Sequence, residues 1–525
     1  MKNQNVIIII CLFFSVIGYS QFDFKQFVPQ NPNVSALFKS TITPVNEYSG
    51  TANINIPIYT LQEGGLSIPI SIGYATGGIQ VSEESSVVGL GWSLNAGGAI
   101  TRNVNGIDDF HITKGFLANP KNHPDLPPNW NPETQPFAFP KNAVGSYDQF
   151  DCEFDSDNGI QTFYDLPPKT LTLDNDYLRD VFMFNFNGYG GSFVLSKNSP
   201  NAFLTSKTPI KIEYEGSGTG IYSNVKITAL TEDGALYEFA QMGMTLMPNI
   251  NPNIDYVSSW YLSKITDILG NEAIFNYDSS NTITPFKSFN QVFSATTGPS
   301  FQPRSEYKDF AGPLTHVDDI LLTSIEIKKN GQKVQEAIFE YSVLNVNTRE
   351  RLDVDSRFLK SVKIYNSSQI DPIEEFDLYQ SYFGNQVTGD YYNYSLTNGD
   401  FAQSISALGS EFPNLNLRLK LDSVARNVKE RHVFKYHENF AVPNKTSMSQ
   451  DYWGFYNGVI NPEVFIPEIT SANVNQSQIN QEKKANRRPE KSYAKMFSLK
   501  SVIYPTRGST DYEYELNTFD QSFIN

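Results

Sequence analysis

Two adjacent acids, Asp108 and Asp109, are the first residues of this 525-residue sequence whose type and spacing could do chemistry. Paired carboxylates hydrolyse glycosides when they flank the scissile bond in complementary protonation states. Neighbours on a strand point apart, so a turn or capping role is the plainer reading. A second acidic group, Asp151, Glu153, Asp155 and Asp157 ahead of Asn158-Gly159, gathers the hard oxygens that calcium prefers. It departs from the helical calcium-loop pattern, because the glycine falls one place late and no closing glutamate follows. A solvated acidic loop is expected there, and calcium is the one cofactor the sequence raises at all. The histidines are His111, His123, His316, His432 and His437. His432 and His437 lie on opposite faces of a regular strand and cannot share a metal. No Ser–His–Asp or Cys–His–Asn set can be assembled from spacing. Trp130, Tyr452 and Trp453 could stack on a sugar ring, the plainer alternative being a loop anchor at Trp130 and a core position at Trp453. The sequence therefore reads as non-enzymatic.

Most of the information lies instead in Gly89-Leu90-Gly91-Trp92-Ser93-Leu94-Asn95-Ala96-Gly97-Gly98-Ala99-Ile100-Thr101-Arg102. Alternation puts Val88, Leu90, Trp92 and Leu94 on one strand face and leaves Gly89, Gly91 and Ser93 on the other. A face bare of side chains lets another backbone, or a ligand, approach closely. Asn95-Ala96-Gly97-Gly98 reads as a turn, with Ile100 to Arg102 as the return strand. We take Gly89, Gly91, Trp92, Gly97, Gly98 and Arg102 as the residues that define this packing signature.

The chain opens with Lys2, an apolar run from Val6 to Ile17, and small residues at Gly18 and Ser20. That is the pattern of a secretory signal peptide cleaved between Ser20 and Gln21, and no later stretch is long and apolar enough for a transmembrane helix. Cleavage leaves Cys152 as the lone cysteine, which excludes an intrachain disulfide and favours a buried apolar filler. A formal charge of −16 disfavours nucleic acid and anionic lipid as partners. Abundant Phe and Tyr with few charges, punctuated by Gly, Pro and Asn, favour strands and turns. No helix is expected beyond the signal.

Period-two alternation appears at Ile54, Ile56 and Ile58, and again at Leu66, Ile68, Ile70, Ile72 and Tyr74, with Gly64-Gly65 between them. This is a hairpin, and Pro57 and Pro69 call for edge positions or bulges. A Pro/Asn-rich insertion runs from about 113 to 150. Hairpins resume around Gly188 and around Asp233-Gly234. From about residue 255 a unit recurs. Leu262-Ser263-Lys264-Ile265 leads to Phe275-Asn276-Tyr277, Leu322-Thr323-Ser324-Ile325 to Phe339-Glu340-Tyr341, Leu421-Asp422-Ser423-Val424 to Phe434-Lys435-Tyr436, and Leu499-Lys500-Ser501-Val502 to Tyr512-Glu513-Tyr514. A weaker copy starts at Leu359-Lys360-Ser361-Val362 and lacks the aromatic-x-Tyr ending. Apolar residues three apart point to opposite faces of a regular strand, so each unit needs cover on both sides or a bulge. Irregular spacing between copies favours stacked hairpins in one extended sheet over a propeller.

The segment from Ile56-Pro57-Ile58-Tyr59 through Gly89-Leu90-Gly91-Trp92-Ser93-Leu94 to Ile100-Thr101-Arg102 and Gly106-Ile107-Asp108-Asp109 resembles the N-terminal region of large RHS/YD-repeat surface proteins of the Bacteroidetes type. A similar motif marks the start of insecticidal-toxin-complex shell proteins. The Leu262–Asp278 unit looks like a YD repeat, and Asp451-Tyr452-Trp453-Gly454-Phe455-Tyr456 is similar to a later block of the same region. The resemblance implies an all-β fold, an N-terminal β-sandwich (residues 21–250) followed by an extended sheet of YD-like β-hairpins (residues 251–525), after a signal peptide at residues 1–20. It implies a secreted, non-catalytic scaffold at the cell surface, the N-terminal part of such a shell. Because the sequence departs from the family pattern in lacking a long repeat array, a truncated gene, one piece of a split gene and a stand-alone short member are the readings open. A downstream RHS/YD-repeat chain or a cell-surface component is the expected partner. A cell-surface glycan-binding or adhesion module, using Trp130, Tyr452 and Trp453, is the second reading. N-terminal sequencing of protein recovered outside an expressing cell should read Gln21-Phe22-Asp23; an intact Met1 on the exported chain would overturn the signal assignment.

Overall fold

The computed structural model describes, with short gaps, residues 52–117, 179–292, 307–383, 417–461 and 485–516, together with Asn33. The Ile-rich alternation forms β1 (Ala52–Glu63) and β2 (Leu66–Thr76), which pair antiparallel around Gly64, whose φ of +57° favours glycine. The register slips between Pro57 and Tyr59, so Pro57 sits at a bulge on an edge strand, as expected. Ser71 to Tyr74 of β2 also pair with β3 (Trp92–Asn95), giving a three-stranded sheet in the order β1-β2-β3. Pro69 lies beyond the reach of β3, where its missing N–H costs no ladder bond.

Everything else of note is one antiparallel sheet. It begins with β4 (Gly98–Asn103), β5 (Val181–Phe186), β6 (Tyr189–Val194), β7 (Phe203–Leu204), β8 (Ile210–Glu215), β9 (Lys226–Thr231), β10 (Leu236–Met247) and β11 (Ile254–Thr266). β4 pairs with both β5 and β11, so these strands close on themselves. The ring is completed where residues just before β7 pair with β8, through Ala202 N–H to the Ile212 carbonyl at 2.9 Å. Phe182, Phe184, Phe186, Phe193, Phe239 and Trp260 are buried with at most 1% exposure. β10 and β11, which lie on either side of residue 250, pair from Leu236–Thr266 to Met247–Ile254. The sheet thus runs across that position without a break.

The sheet continues through β12 (Glu272–Ile283), β15 (His316–Lys329), β16 (Gln332–Val343), β17 (Arg357–Asn366), β18 (Glu374–Phe383), β19 (Arg418–Arg426), β20 (Glu430–Tyr436), β21 (Leu499–Ile503) and β22 (Ser509–Asp511), each paired with the next. A separate pair is formed by β13 (Asn290–Val292) and β14 (Tyr307–Asp309). The expectation of no helix is corrected by one turn, α1 (Lys491–Ala494), capped by the Glu490 side chain. The fold is all-β, as the sequence predicts.

The recurring Leu-x-x-[Ile/Val] strands answer the question their spacing raises. In the pairing of β12 with β15, Asn276 faces Ser324 but the next residue, Tyr277, faces Leu322, so Thr323 is skipped. The same slip skips Lys360 opposite β16, Asp422 opposite β18 and Lys500 opposite β20; opposite β10 it skips Ser263. An extra residue at a bulge shifts the alternation by one. Both apolar residues then face inward: Leu262, Ile265, Leu322, Ile325, Leu359, Val362, Leu421, Val424, Leu499 and Val502 are all buried.

A second regularity accompanies the bulge. The tyrosine ending each unit donates its hydroxyl hydrogen to the carbonyl of the leucine that opens it. These bonds are Tyr277 to Leu262 at 2.6 Å, Tyr341 to Leu322 at 2.9 Å, Tyr436 to Leu421 at 2.5 Å and Tyr514 to Leu499 at 2.8 Å. The weaker copy has no such tyrosine, and there Gln380 Nε2 donates to the Leu359 carbonyl at 2.7 Å. Gln380 also occupies the tyrosine's register, opposite Leu421, as Tyr341 stands opposite Leu359. Amide and phenol do one job. Tyr341→Phe and Gln380→Leu should each lower stability by about 1–3 kcal/mol, the cost of a buried carbonyl left without its donor. Unchanged urea midpoints for both variants would refute a stabilising role for these caps.

Candidate functional site

The signature segment begins as a loop rather than a strand. Gly89 (φ +151°) and Gly91 (φ +76°) break the extended run, and the strand starts only at Trp92. Of the four residues that alternation put on one face, Val88, Leu90 and Trp92 are buried and Leu94 is half-buried. The sequence reading of the backbone is corrected. So is the hairpin at Asn95–Gly98, because β3 belongs to the first sheet and β4 to the second. The turn is a crossover. A Cβ on Gly98 would lie 2.3 Å from Phe186 Cβ, so only glycine lets β4 lie this close to β5. Gly97 (φ +93°) packs similarly on the Phe275 ring.

The bare glycines admit two neighbours: Gly91 lies against the Tyr74 ring of β2, and Gly89 against the repeat sheet. A Cβ on Gly89 would come 3.0 Å from Leu421 N, and Leu90 N–H donates to the Leu419 carbonyl at 2.8 Å. Leu359 N–H donates to the Val87 carbonyl at 2.8 Å, and Leu419 N–H to Ser85 Oγ at 3.0 Å. Trp92 is fully buried, with its ring centroid 4.4 Å from Phe434 and 5.0 Å from Tyr74. Its Nε1–H donates to the Tyr436 hydroxyl at 2.9 Å, which in turn caps Leu421. Tyr74 Oη accepts from Leu499 N–H at 2.8 Å. The N-terminal sheet is thus fastened to the bulges of the last two repeats.

Buried ions hold the same seam. Arg418 donates to the carbonyls of Val81 (2.5 Å) and Pro443 (3.0 Å), and Lys445 Nζ pairs with Glu84 Oε2 at 2.5 Å. Arg102, at the signature's far end, is fully buried against Asp108 at 2.5 Å and Asp180 at 3.6 Å, with its guanidinium over Phe110, Tyr256 and Trp260. Asp109 and Asp180 each accept the other's backbone N–H, and Asp108 accepts from Phe110 N–H. The acid pair is therefore a capping device, as the plainer reading had it. Asp109 and Asp180 have no exposed surface, and neither meets a substrate from solvent. Sequence spacing joins Arg102 to nothing; its partner Asp180 lies far along the chain, and no local signal marks it.

Tyr452 and Trp453 are more than half exposed, which corrects the reading of Trp453 as core. They project from a tight turn in which Asp451 Oδ1 accepts from Trp453 N–H and Phe455 N–H, while Arg487 lies over the Tyr452 ring at 5.5 Å. Gln80 Nε2 ties the turn to the signature loop through the Trp453 carbonyl at 2.9 Å. Trp130, His123, Cys152 and the acidic group at Asp151–Asp157 lie outside the described residues. His432 and His437 face different tyrosines, Tyr504 and Tyr514, and burial lowers the basicity of both. Among the described residues no group of three or more His, Cys, Asp or Glu is placed to hold a metal ion.

No family model and no curated protein matches this sequence. Among solved structures it is similar to TcdB2–TccC3, at 10% identity and a TM-score of 0.34, over 78% of this chain and 16% of that one. The N-terminal domain of effector protein SpvB from Salmonella typhimurium strain LT2 aligns at 11% identity and a TM-score of 0.30, over 71% of this chain and 98% of that one. The Tc holotoxin pore of Photorhabdus luminescens aligns at 11% identity and a TM-score of 0.34, over 75% and 16%. The chain spans about a sixth of the first and third of these.

Burial pushes the Asp180 carboxyl up to about 7, against the opposing pull of Arg102 and of the Asn105 and Asp109 N–H groups. Between roughly pH 4 and 7 the folded protein then holds a proton that the unfolded chain has released. The contribution is full below about pH 4 and is lost as pH rises toward 7. Asp180→Asn should remove this slope, so that the wild type loses stability relative to the variant between pH 5 and pH 8. A pH-independent difference in urea midpoint would show that Asp180 does not titrate in this range.

Proposed function

We propose that this protein is a secreted, non-catalytic scaffold, the opening section of an RHS/YD-repeat shell or surface protein. The observation that carries this reading is the repeated unit itself. Five successive hairpins share one bulge position and one carbonyl cap, and every such feature is spent on packing inward. The Ile-rich sheet β1-β2-β3 covers part of the apolar face of the repeats. The buried acids serve Arg102 and backbone N–H groups, which supports a structural use for the residues best suited to catalysis.

The partner expected at the other end is a chain carrying the same hairpins. Among the described residues, β22 pairs only with β21. In each earlier unit the capping residue stands opposite the opening leucine of the next: Tyr277 opposite Leu322, Tyr341 opposite Leu359, Gln380 opposite Leu421 and Tyr436 opposite Leu499. The same register sets the leucine of an incoming strand opposite Tyr514, and unpaired strand edges favour such addition. A second reading, surface glycan binding or adhesion, rests on Tyr452 and Trp453, a pair of exposed aromatics on a turn held by Asp451 and Gln80.

A labelled peptide copying residues 316–343 of this chain, the β15–β16 hairpin, supplies a strand of the right type. It should bind the purified protein, and Leu322→Asp in the peptide should abolish binding. A stable monomer that takes up neither peptide would refute the proposed edge.

A further inference from the structure

The exposed turn that carries Tyr452 and Trp453 is packed against a basic segment. Arg487 donates from Nε (3.1 Å) and Nη2 (2.5 Å) to the Asp451 carbonyl while lying over the Tyr452 ring. Asn457 Nδ2 donates to the carbonyls of Asn486 (2.8 Å) and Arg488 (3.3 Å), and Tyr456 meets Tyr493 edge to face at 5.3 Å. From Ala485 to Lys500 the sequence sets Arg487, Arg488, Lys491, Lys495 and Lys500 against a single acid, Glu490, in a chain of net charge −16. Glu490 caps α1, accepting from the Ser492 N–H and hydroxyl. Asp451 is buried, its Oδ1 accepting from the N–H groups of the turn. On the repeat sheet, by contrast, Lys226, Lys264, Lys328, Lys363 and Lys420 each lie 2.5–3.4 Å from a carboxylate. Arg488, Lys491, Lys495 and Lys500 make no ion pair among the described residues, and Arg488 and Lys491 are exposed.

From this arrangement we infer that the surface binds an acidic polysaccharide. Its sugar rings stack on Tyr452 and Trp453, and its carboxylate or sulfate groups fall on Arg488 and Lys491. The inference rests on the glycan-binding reading of the aromatic turn and names the class of ligand. Stacking alone does not separate charged from neutral sugars, since both present a C–H face to an aromatic ring. The cations do: a local field of one sign, inside a protein of the opposite sign, recruits ligands that carry the complementary charge. The two ring planes meet at 81° with centroids 6.3 Å apart, which suits two linked sugars better than two faces of one. An anionic membrane fits less well, because Gln450 to Gly458 include no aliphatic side chain to enter the acyl region. Nucleic acid fits less well too. Its dense phosphates meet the repulsion of the whole acidic chain, whereas one acid per sugar or two meets far less of it.

Calorimetry on the purified full chain tests this. Hexagalacturonate and a heparin-derived hexasaccharide are the acidic probes, cellohexaose and maltohexaose their neutral counterparts. Phosphatidylglycerol vesicles and an oligothymidylate represent the other polyanions. At least one acidic hexasaccharide should bind about tenfold or more tighter than either neutral one, and its affinity should fall as salt is raised. Trp453→Ala should weaken that binding about tenfold through the lost ring, and Arg488→Ser with Lys491→Ser by a similar factor through the lost charges. Lys429→Ser, at an exposed position on the β19–β20 turn, should leave it unchanged. Acidic and neutral hexasaccharides bound equally well through Trp453 would overturn the acidic assignment and leave the glycan reading standing. Silence across all the sugars at millimolar concentration would overturn both. A loss in Lys429→Ser equal to that in the double variant would show that the charge acts from no particular place, against the assignment. Tighter binding of vesicles or oligothymidylate, lost in the double variant, would transfer the surface to a membrane or to nucleic acid.

Discussion

One extra residue per repeat governs this structure. A strand that keeps strict alternation cannot bury Leu and Ile three positions apart on one side. The bulge after each leucine solves this locally, and in doing so it creates two obligations. It interrupts the ladder at the leucine carbonyl, which must find a donor, and it makes the inner face of the sheet apolar throughout, which must find a cover. The phenol or amide that ends each unit meets the first obligation. Three strands from the start of the chain meet the second, placing Trp92 and Tyr74 against Phe434, Tyr436 and Leu499.

Fitting the cover requires register as well as contact. Apolar sheets slide over one another at little energetic cost, whereas a buried ion has only one acceptable address. Arg418 reaches the carbonyls of Val81 and Pro443, Lys445 pairs with Glu84, and Arg102 gathers Asp108 and Asp180. Glycine completes the fit, for at Gly89 and Gly98 any side chain would strike backbone or Cβ atoms of the opposing strand.

Local patterns in the sequence carried much of this. Alternating isoleucines foretold β1 and β2, and Gly188 and Asp233-Gly234 foretold hairpins. The three-residue spacing of Leu and Ile required either double cover or a bulge, and the bulge is what forms. The misses share a cause. A Gly-Gly turn has the same local chemistry whether its strands pair with each other or part to different sheets, so the crossover at Gly97-Gly98 was invisible. Phase was lost at Gly91 because a positive φ leaves no trace in an apolar pattern. Gln380 escaped notice because its capping role depends on register, and its residue type differs from the tyrosines it replaces. Arg102 and Asp180 meet only through the ring of strands around them.

Trp92 and Tyr436 are 344 positions apart, and the carbonyl that completes their relay belongs to Leu421. The earlier-made segment of this contact therefore waits for the later-made one. Until β19 to β21 emerge, Trp92 and Tyr74 of the first sheet lack the neighbours that cover them, and a hairpin alone is marginal in water. Long-range closure of this kind slows folding, since chain entropy must be surrendered before the rewarding contacts exist. Burial of the early hairpin is thereby an event of the whole domain, completed when the distant repeats arrive, and not of the segment that carries its isoleucines.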